Sequence, residues 1–201
     1  VKRNRLAFLL LLAASLSLCG CASGPQARYY TLLAVHPPVE ETDTLRKGEA
    51  GVAIGPVTLP DYVDRPEIVT RSAGGEVEIA NLDRWAGPLE DEVTRVLVED
   101  VGAFLRQRGM TAVSWRQQGA GRASVPITIV RLDAVPGRDV QINAQWRVRG
   151  IGPTGDTRFF QETFRAVVAG PDYRSTVQAM SQAVGQLSAR IAQTTVQALG
   201  K

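Results

Sequence analysis

From Asp139 to Gly150 the chain alternates strictly. Val140, Ile142, Ala144, Trp146 and Val148 fall on one side, and Gln141, Asn143, Gln145, Arg147 and Arg149 on the other. Successive side chains of a strand point to opposite faces, so this pattern predicts a strand with one face in a core and the other in water. A helix would spread the same residues around its circumference. The turn-rich "GIGPTGD" follows, and "TRFFQETFRAVVA" at 157–169 returns as a hairpin partner. With "VPITIVRLDAV" at 125–135 ahead of it, the pattern predicts an antiparallel meander of three strands.

Further strand signals stand at "YYTLLAV" (29–35), "VAIGPVTLP" (52–60), "EIVTR" (67–71), "EVEIA" (76–80) and "TAVSW" (111–115), with Gly74-Gly75 as a turn. The stretch "HPPVEETDTLRKGEAG" has Pro, charge and Gly without apolar period and reads as an exposed loop. Two helices are expected. Pro88 to Arg108 carries Leu89, Val93, Val96, Leu97, Val101, Phe104 and Leu105 at spacings of three and four. Its acidic start (Glu90, Asp91, Glu92), its basic end (Arg106, Arg108) and Gly109 complement the helix dipole and its termination. Pro171-Asp172 opens a second helix to about Leu199, striped by Tyr173, Val177, Met180, Val184, Leu187, Ile191 and Ala198. The expected fold class is therefore α+β, a single mostly antiparallel sheet packed against two main helices.

The beginning of the chain obeys other rules. Lys2, Arg3 and Arg5 precede a weakly polar to apolar run from Leu6 to Leu18, too short for a bilayer span of roughly 20 residues and suited to a secretory signal. The run ends Leu18-Cys19-Gly20-Cys21, which resembles the lipobox of bacterial lipoproteins, with Cys21 as the lipid-anchor residue. Cys19 would leave with the signal peptide. An ordinary signal peptide with two incidental cysteines, or a buried apolar helix, is the plainer alternative; a C-x-C thiol or metal pair is another, but zinc normally takes four ligands and the chain has two cysteines in all. The expected organisation is a signal peptide at 1–20, a lipidated tether at 21–28 and a single periplasmic α+β domain at 29–201. Two acyl chains suffice for stable attachment without a membrane-spanning helix. Ala22, in place of an Asp that would signal inner-membrane retention, implies delivery to the outer membrane.

Charge follows the same division. The chain holds 23 Lys and Arg against 20 Asp and Glu. Without Lys2, Arg3 and Arg5 the numbers balance, and no clustered basic face remains to bind nucleic acid.

Catalytic chemistry has little to work with. The one histidine, His36, lies in the Pro-rich loop and is expected to be a solvated loop residue. A histidine-based triad would have to use it, and a two-His metal site is impossible. Glu90, Asp91 and Glu92 are consecutive on a helix, where side chains diverge, and helix-start acidity accounts for them. No phosphate-cradling Gly-rich loop occurs. Trp85 and Trp146 are expected in the core, Trp115 being left open. The expectation is of no enzyme, no metal and no cofactor beyond the covalent lipid on Cys21. The second helix offers a long, almost uncharged wet face with Gln178, Gln182, Gln186 and Gln193, which a protein partner could cover at modest desolvation cost.

Several stretches together resemble one family: "YYTL" after the lipobox, "LPDYVDRPEIVTR" (59–71), "NLDRWAGPLEDEVTRVLVEDV" (81–101) and "PDYRSTVQAMSQAVGQLSARIA" (171–192). Their order and spacing are similar to the PqiC/YmbA-type lipoproteins, the ABC-type transport auxiliary lipoproteins. Gly87 departs from the acidic residue expected before the Pro-Leu pair. The resemblance implies an outer-membrane-anchored auxiliary subunit of an intermembrane lipid transport system, supporting envelope integrity. Its implied partners are an MCE-domain protein, an inner-membrane permease system and further copies of itself in a ring. The alternative expectation is a carrier that itself holds acyl ligands between sheet and helices.

Overall fold

The strands divide between two sheets, and the larger of them is mixed rather than mostly antiparallel. This corrects the expectation of a single sheet. The computed structural model describes residues 25–36, 50–72, 74–117, 121–150 and 155–200. In chain order the elements are β1 (Arg28–Tyr30), β2 (Ala50–Thr58), β3 (Glu67–Arg71), β4 (Val77–Trp85), α1 (Leu89–Arg106), β5 (Met110–Ser114), β6 (Gly121–Val135), β7 (Asp139–Gly150), β8 (Thr157–Val167) and α2 (Tyr173–Ala198). The expected signal peptide, Cys19 and Cys21 lie outside the described residues, as does most of the Pro-rich loop.

The five-stranded sheet has the order β5-β2-β6-β7-β8. Its β6-β7-β8 half is the expected meander, with Trp146 opposite both Ile127 and Phe160. In the other half β2 runs parallel to β5 and to β6. Parallel neighbours need a long crossover, and here β3, β4 and α1 lie between β2 and β5 in the chain. That arrangement leaves no local turn signal, which is why the sequence pattern alone does not reveal it. The second sheet has three strands in the order β1-β4-β3, with the β3–β4 hairpin antiparallel and β1 parallel to β4.

Both helices cover one face of the five-stranded sheet. Helix α1 packs on β2 and β5, α2 on β7 and β8, and the two helices pack on each other. Val140, Ile142, Ala144, Trp146 and Val148 are all buried beneath them, as the alternation requires. Small residues on α2, including Ala179, Ala183, Gly185, Ser188 and Ala192, are also buried and permit close approach of neighbouring backbone. Asp172 caps α2, its Oδ1 accepting from the Ser175 N–H at 3.0 Å. Gly109 leaves α1 in the left-handed region (φ +65°), which glycine adopts without steric cost. Gly55 is also left-handed, and a Cβ there would lie 2.3 Å from Trp115 Cδ1, so the position excludes a side chain on two counts.

One continuous apolar core joins both sheets and both helices, with Ile54, Ile68, Leu97, Ile142 and Leu187 among its fully buried members. Each such side chain contributes about 1.5–3 kcal/mol relative to leaving it exposed.

Candidate functional site

The segment that follows β1 is built into the body by side chains rather than by a sheet. Beyond Tyr30 the chain leaves β1, so "YYTLLAV" is not one strand, and residues 31–36 run over the helices. The Leu32 N–H donates to Glu92 Oε2 at 3.3 Å, and Arg95 Nη2 donates to the Leu32 carbonyl at 2.6 Å. The Leu33 N–H donates to Ser181 Oγ on α2 at 3.1 Å. Asp100, wholly buried on α1, accepts from the Val35 N–H at 3.1 Å and the His36 N–H at 3.0 Å. Backbone donors that a sheet would have paired are thus satisfied by Glu92, Ser181 and Asp100. Val35 lies over Gly185, where an added Cβ would come within 2.5 Å of Val35 Cγ2.

His36 accordingly departs from the expected solvated loop residue. Its ring meets Phe104 edge-on at 4.3 Å between centroids, and its Nδ1 sits 3.4 Å from Asp100 Oδ1. Asp100 was legible only as a misfit, a carboxylate inside the apolar run "VLVEDVGAFL".

Two further carboxylates join elements. Asp83 on β4 accepts from Arg28 Nη2 at 2.8 Å and from Tyr30 Oη at 2.7 Å. Burial pushes the Asp83 carboxyl up, but the bonds from Arg28 and Tyr30 outweigh it and leave the carboxyl below its ordinary range. Burial and the bond to Asp83 together raise the Tyr30 phenol. Asp133 on β6 accepts from Arg71 Nε of β3 at 2.5 Å, from Tyr62 Oη at 3.1 Å and from Arg131. Here too burial pushes the carboxyl up, and the bonds from Arg71, Arg131 and Tyr62 hold it below its ordinary range. The Arg71 guanidinium also stands 5.2 Å over the Tyr62 ring. Tyr62 and Arg71 both belong to "LPDYVDRPEIVTR", so that stretch ties the small sheet to the large one.

The acidic trio at the start of α1 divides between two arginines in structural ion pairs. Asp91 meets Arg116 at 2.7 Å and Glu90 the same arginine at 3.8 Å, while Glu92 pairs with Arg95 at 2.9 Å. Trp85 and Trp146 are core residues; Trp146 Nε1 donates to Thr194 Oγ1 at 3.0 Å and stacks on Phe160. Trp115, just past the end of β5, is 40% exposed, its backbone N–H donating to the Ile54 carbonyl of β2 at 3.0 Å and its ring lying against Gly55. On α2, Gln178, Gln182, Gln186 and Gln193 are exposed, but buried positions flank them on both sides, so the wet face is a narrow strip. Gln186 is engaged, its Nε2 donating to the Arg165 carbonyl of β8 at 2.9 Å.

A broader open surface is the outer face of the five-stranded sheet. Asn143 Nδ2 donates to Thr163 Oγ1 at 2.9 Å and Gln145 Nε2 to Gln161 Oε1 at 3.2 Å, a ladder of neutral polar pairs between β7 and β8. Phe159 and Val167, towards the two ends of β8, are 72% and 78% exposed. Pro126, Thr128, Gln145, Arg147, Phe159 and Gln161 line a shallow depression of about 440 Å³ on this face. A second open groove of about 680 Å³ runs between α1 and β5, past Arg95, Val98, Arg106, Ala112 and Arg116. Among the described residues β8 pairs only with β7 and β5 only with β2, leaving a free edge at each end of the sheet.

Comparison with known proteins gives a consistent picture. The profile of the ABC-type transport auxiliary lipoprotein component matches residues 30–192. The Escherichia coli intermembrane transport lipoprotein PqiC is 25% identical over 187 residues, 92% of this chain and 95% of that one. A solved structure of an uncharacterized protein superposes with a TM-score of 0.69 at 19% identity, covering 85% of this chain and 99% of that one. A Xanthomonas campestris protein superposes at 0.63 with 17% identity, over 85% and 96% of the two chains.

Proposed function

The chain belongs to the family of ABC-type transport auxiliary lipoproteins, and from this we propose that it is the outer-membrane-anchored docking subunit of an MCE-type intermembrane lipid transport system. Lipid on Cys21 holds it to the leaflet, and the body, on the periplasmic side, receives an MCE-domain protein whose inner-membrane permease lies at the far side of the envelope. No helix among the described residues is long and apolar enough to cross a membrane, in keeping with anchoring by acyl chains.

The observation that carries this reading is the outer sheet face. Its central amide ladder is neutral, the flanking Arg165 donates to Gln141 at 3.1 Å and Arg147 stands over the Phe159 ring, and Phe159 and Val167 offer apolar anchors at its margin. Free edges at β5 and β8 also suit head-to-tail contact between copies, which closes into a ring when the rotation permits. Phospholipid crossing an aqueous space needs continuous apolar shelter, since each exposed CH₂ costs about 0.8 kcal/mol. A docking subunit fixes where such a route ends, and it needs surfaces rather than reactive groups.

The carrier alternative places acyl chains between the sheet and the helices. That space is occupied by Trp146, Met180, Val184, Leu187 and Ile191, all buried, which favours the docking role.

Co-expression with the MCE-domain protein tests the proposal. The two should co-purify from detergent extract, and failure to associate when both are folded would count decisively against docking. Mass spectrometry of the purified protein checks the alternative, for which one phospholipid per chain is the expected signature.

A further inference from the structure

The start of β4 shows its apolar side chains to solvent. Val77 and Ile79, two residues apart and therefore on one side of the strand, are 45% and 48% exposed. Glu78 between them is exposed as well, whereas Val69 and Thr70, their register neighbours on β3, are buried and Arg71 is bound to Asp133, so this end of the hairpin turns β3 to the body and leaves β4 to solvent. Glu76 and Glu78 are the exposed charges beside the pair. Arg71, the nearby cation, is already bound to Asp133 and to the Gly75 carbonyl at 3.0 Å.

The direction of β1 gives this patch a meaning. β1 runs parallel to β4, with Arg28 opposite Asp83 and Tyr30 opposite Trp85, so the chain enters β1 from the Val77 end of β4. At about 3.3 Å per residue, Val77 lies about 20 Å from the level of Asp83 in that direction. Cys21 precedes Arg28 by seven residues, a reach of about 25 Å at most. A body of this length has a radius of gyration of about 16 Å, so the tether is shorter than the body is wide. Only the end from which the tether departs can rest on the surface that holds the anchor.

We propose that the Val77–Ile79 end of β4 lies against the lipid leaflet carrying the anchor, with both side chains entering the boundary between headgroups and acyl chains. The carboxylates of Glu76 and Glu78 suit a zwitterionic surface better than an anionic one. This inference rests on the lipidated Cys21 of the preceding section.

The test uses the full-length lipidated protein carrying Val77→Cys or, separately, Ile79→Cys, labelled with an environment-sensitive fluorophore. Each is reconstituted into phosphatidylcholine vesicles containing doxyl-labelled phosphatidylcholine and compared with a Gln182→Cys label, an exposed position on α2. Vesicle flotation of the protein is measured in the same samples. Quenching at 77 and 79 should exceed that at 182 by about threefold or more, as expected for burial at the acyl boundary. Floating protein with equal quenching at all three positions overturns the inference while leaving the anchor intact. Protein that does not float overturns the anchored reading and this inference with it.

Discussion

Asp100 Oδ1 lies 3.1 Å from the backbone nitrogen of Val35, joining a wholly buried carboxylate on α1 to a segment 65 residues earlier in the chain. The same oxygen receives the His36 N–H. Asp100→Ala removes the acceptor for both donors and should cost about 1–3 kcal/mol, the range for leaving a buried donor unsatisfied. Urea unfolding measures the loss, and proteolysis near residue 36 should accelerate with it. An unchanged midpoint would show the clamp to be idle.

Gly185→Ala brings a methyl group to within 2.5 Å of Val35 Cγ2. Overpacking of this kind costs about 1–3 kcal/mol. In a Val35→Gly background both this contact and the one to Val35 Cβ at 3.0 Å are gone, and the better helix propensity of alanine should make the same change neutral or stabilising by up to about 1 kcal/mol. The reversal of sign between backgrounds, read by a double-mutant cycle, is the diagnostic result.

Acid should weaken the joint between the sheets. The folded carboxyl of Asp133 is held below the ordinary value of 3.8 by Arg71, Arg131 and Tyr62 against the opposing effect of burial. A group whose folded pKa is depressed contributes stability that is present above its unfolded value and lost as pH falls through the folded one. Stability should therefore begin to decline near pH 3.8 and continue to fall below it. Asp133→Asn should show a shallower decline over that window in pH-dependent thermal unfolding. Equal slopes in the two proteins would remove Asp133 from the account.

Phe159→Glu and Val167→Glu alter side chains already in water. Each should change stability by less than about 0.5 kcal/mol, because neither touches the core. Their effect belongs in assembly, where co-purification with the MCE-domain protein or self-association should fall. Full retention of both by the double variant would move the docking surface elsewhere.

Cys21→Ser tests the anchor. The variant should accumulate unprocessed or appear in the soluble fraction, whereas normal processing with unchanged membrane fractionation would discard the lipoprotein reading.

Much of the fold was legible where the signal is local. The alternation at 139–150, the Pro171-Asp172 helix start and the Gly74-Gly75 turn each lie within a few residues of their consequence, and β7, α2 and the β3–β4 hairpin stand where those signals put them. What escaped was long-range. Nothing in "VAIGPVTLP" declares that β2 pairs in parallel with strands some sixty and seventy residues away, or that β3 and β4 leave the main sheet for a separate one with β1. Tyr29 to Val35 had the composition of a strand, but its later residues find partners in the side chains of Glu92, Asp100 and Ser181, some sixty to a hundred and fifty residues further along the chain. The open sheet face was present as the polar half of the alternation, yet its pairing into Asn143–Thr163 and Gln145–Gln161 needed the register of β7 on β8.

The parallel pairing of β1 with β4 also decides how the body bears load. A pull on the chain ahead of Arg28 acts along the β1 axis, so its ladder bonds and the Arg28 and Tyr30 contacts to Asp83 are sheared together rather than peeled one after another. Behind them the bonds at Leu32, Leu33, Val35 and His36 spread the remaining force over both helices. A short strand of three residues thereby becomes a mechanical joint, able to pass tension in the preceding chain into the whole body.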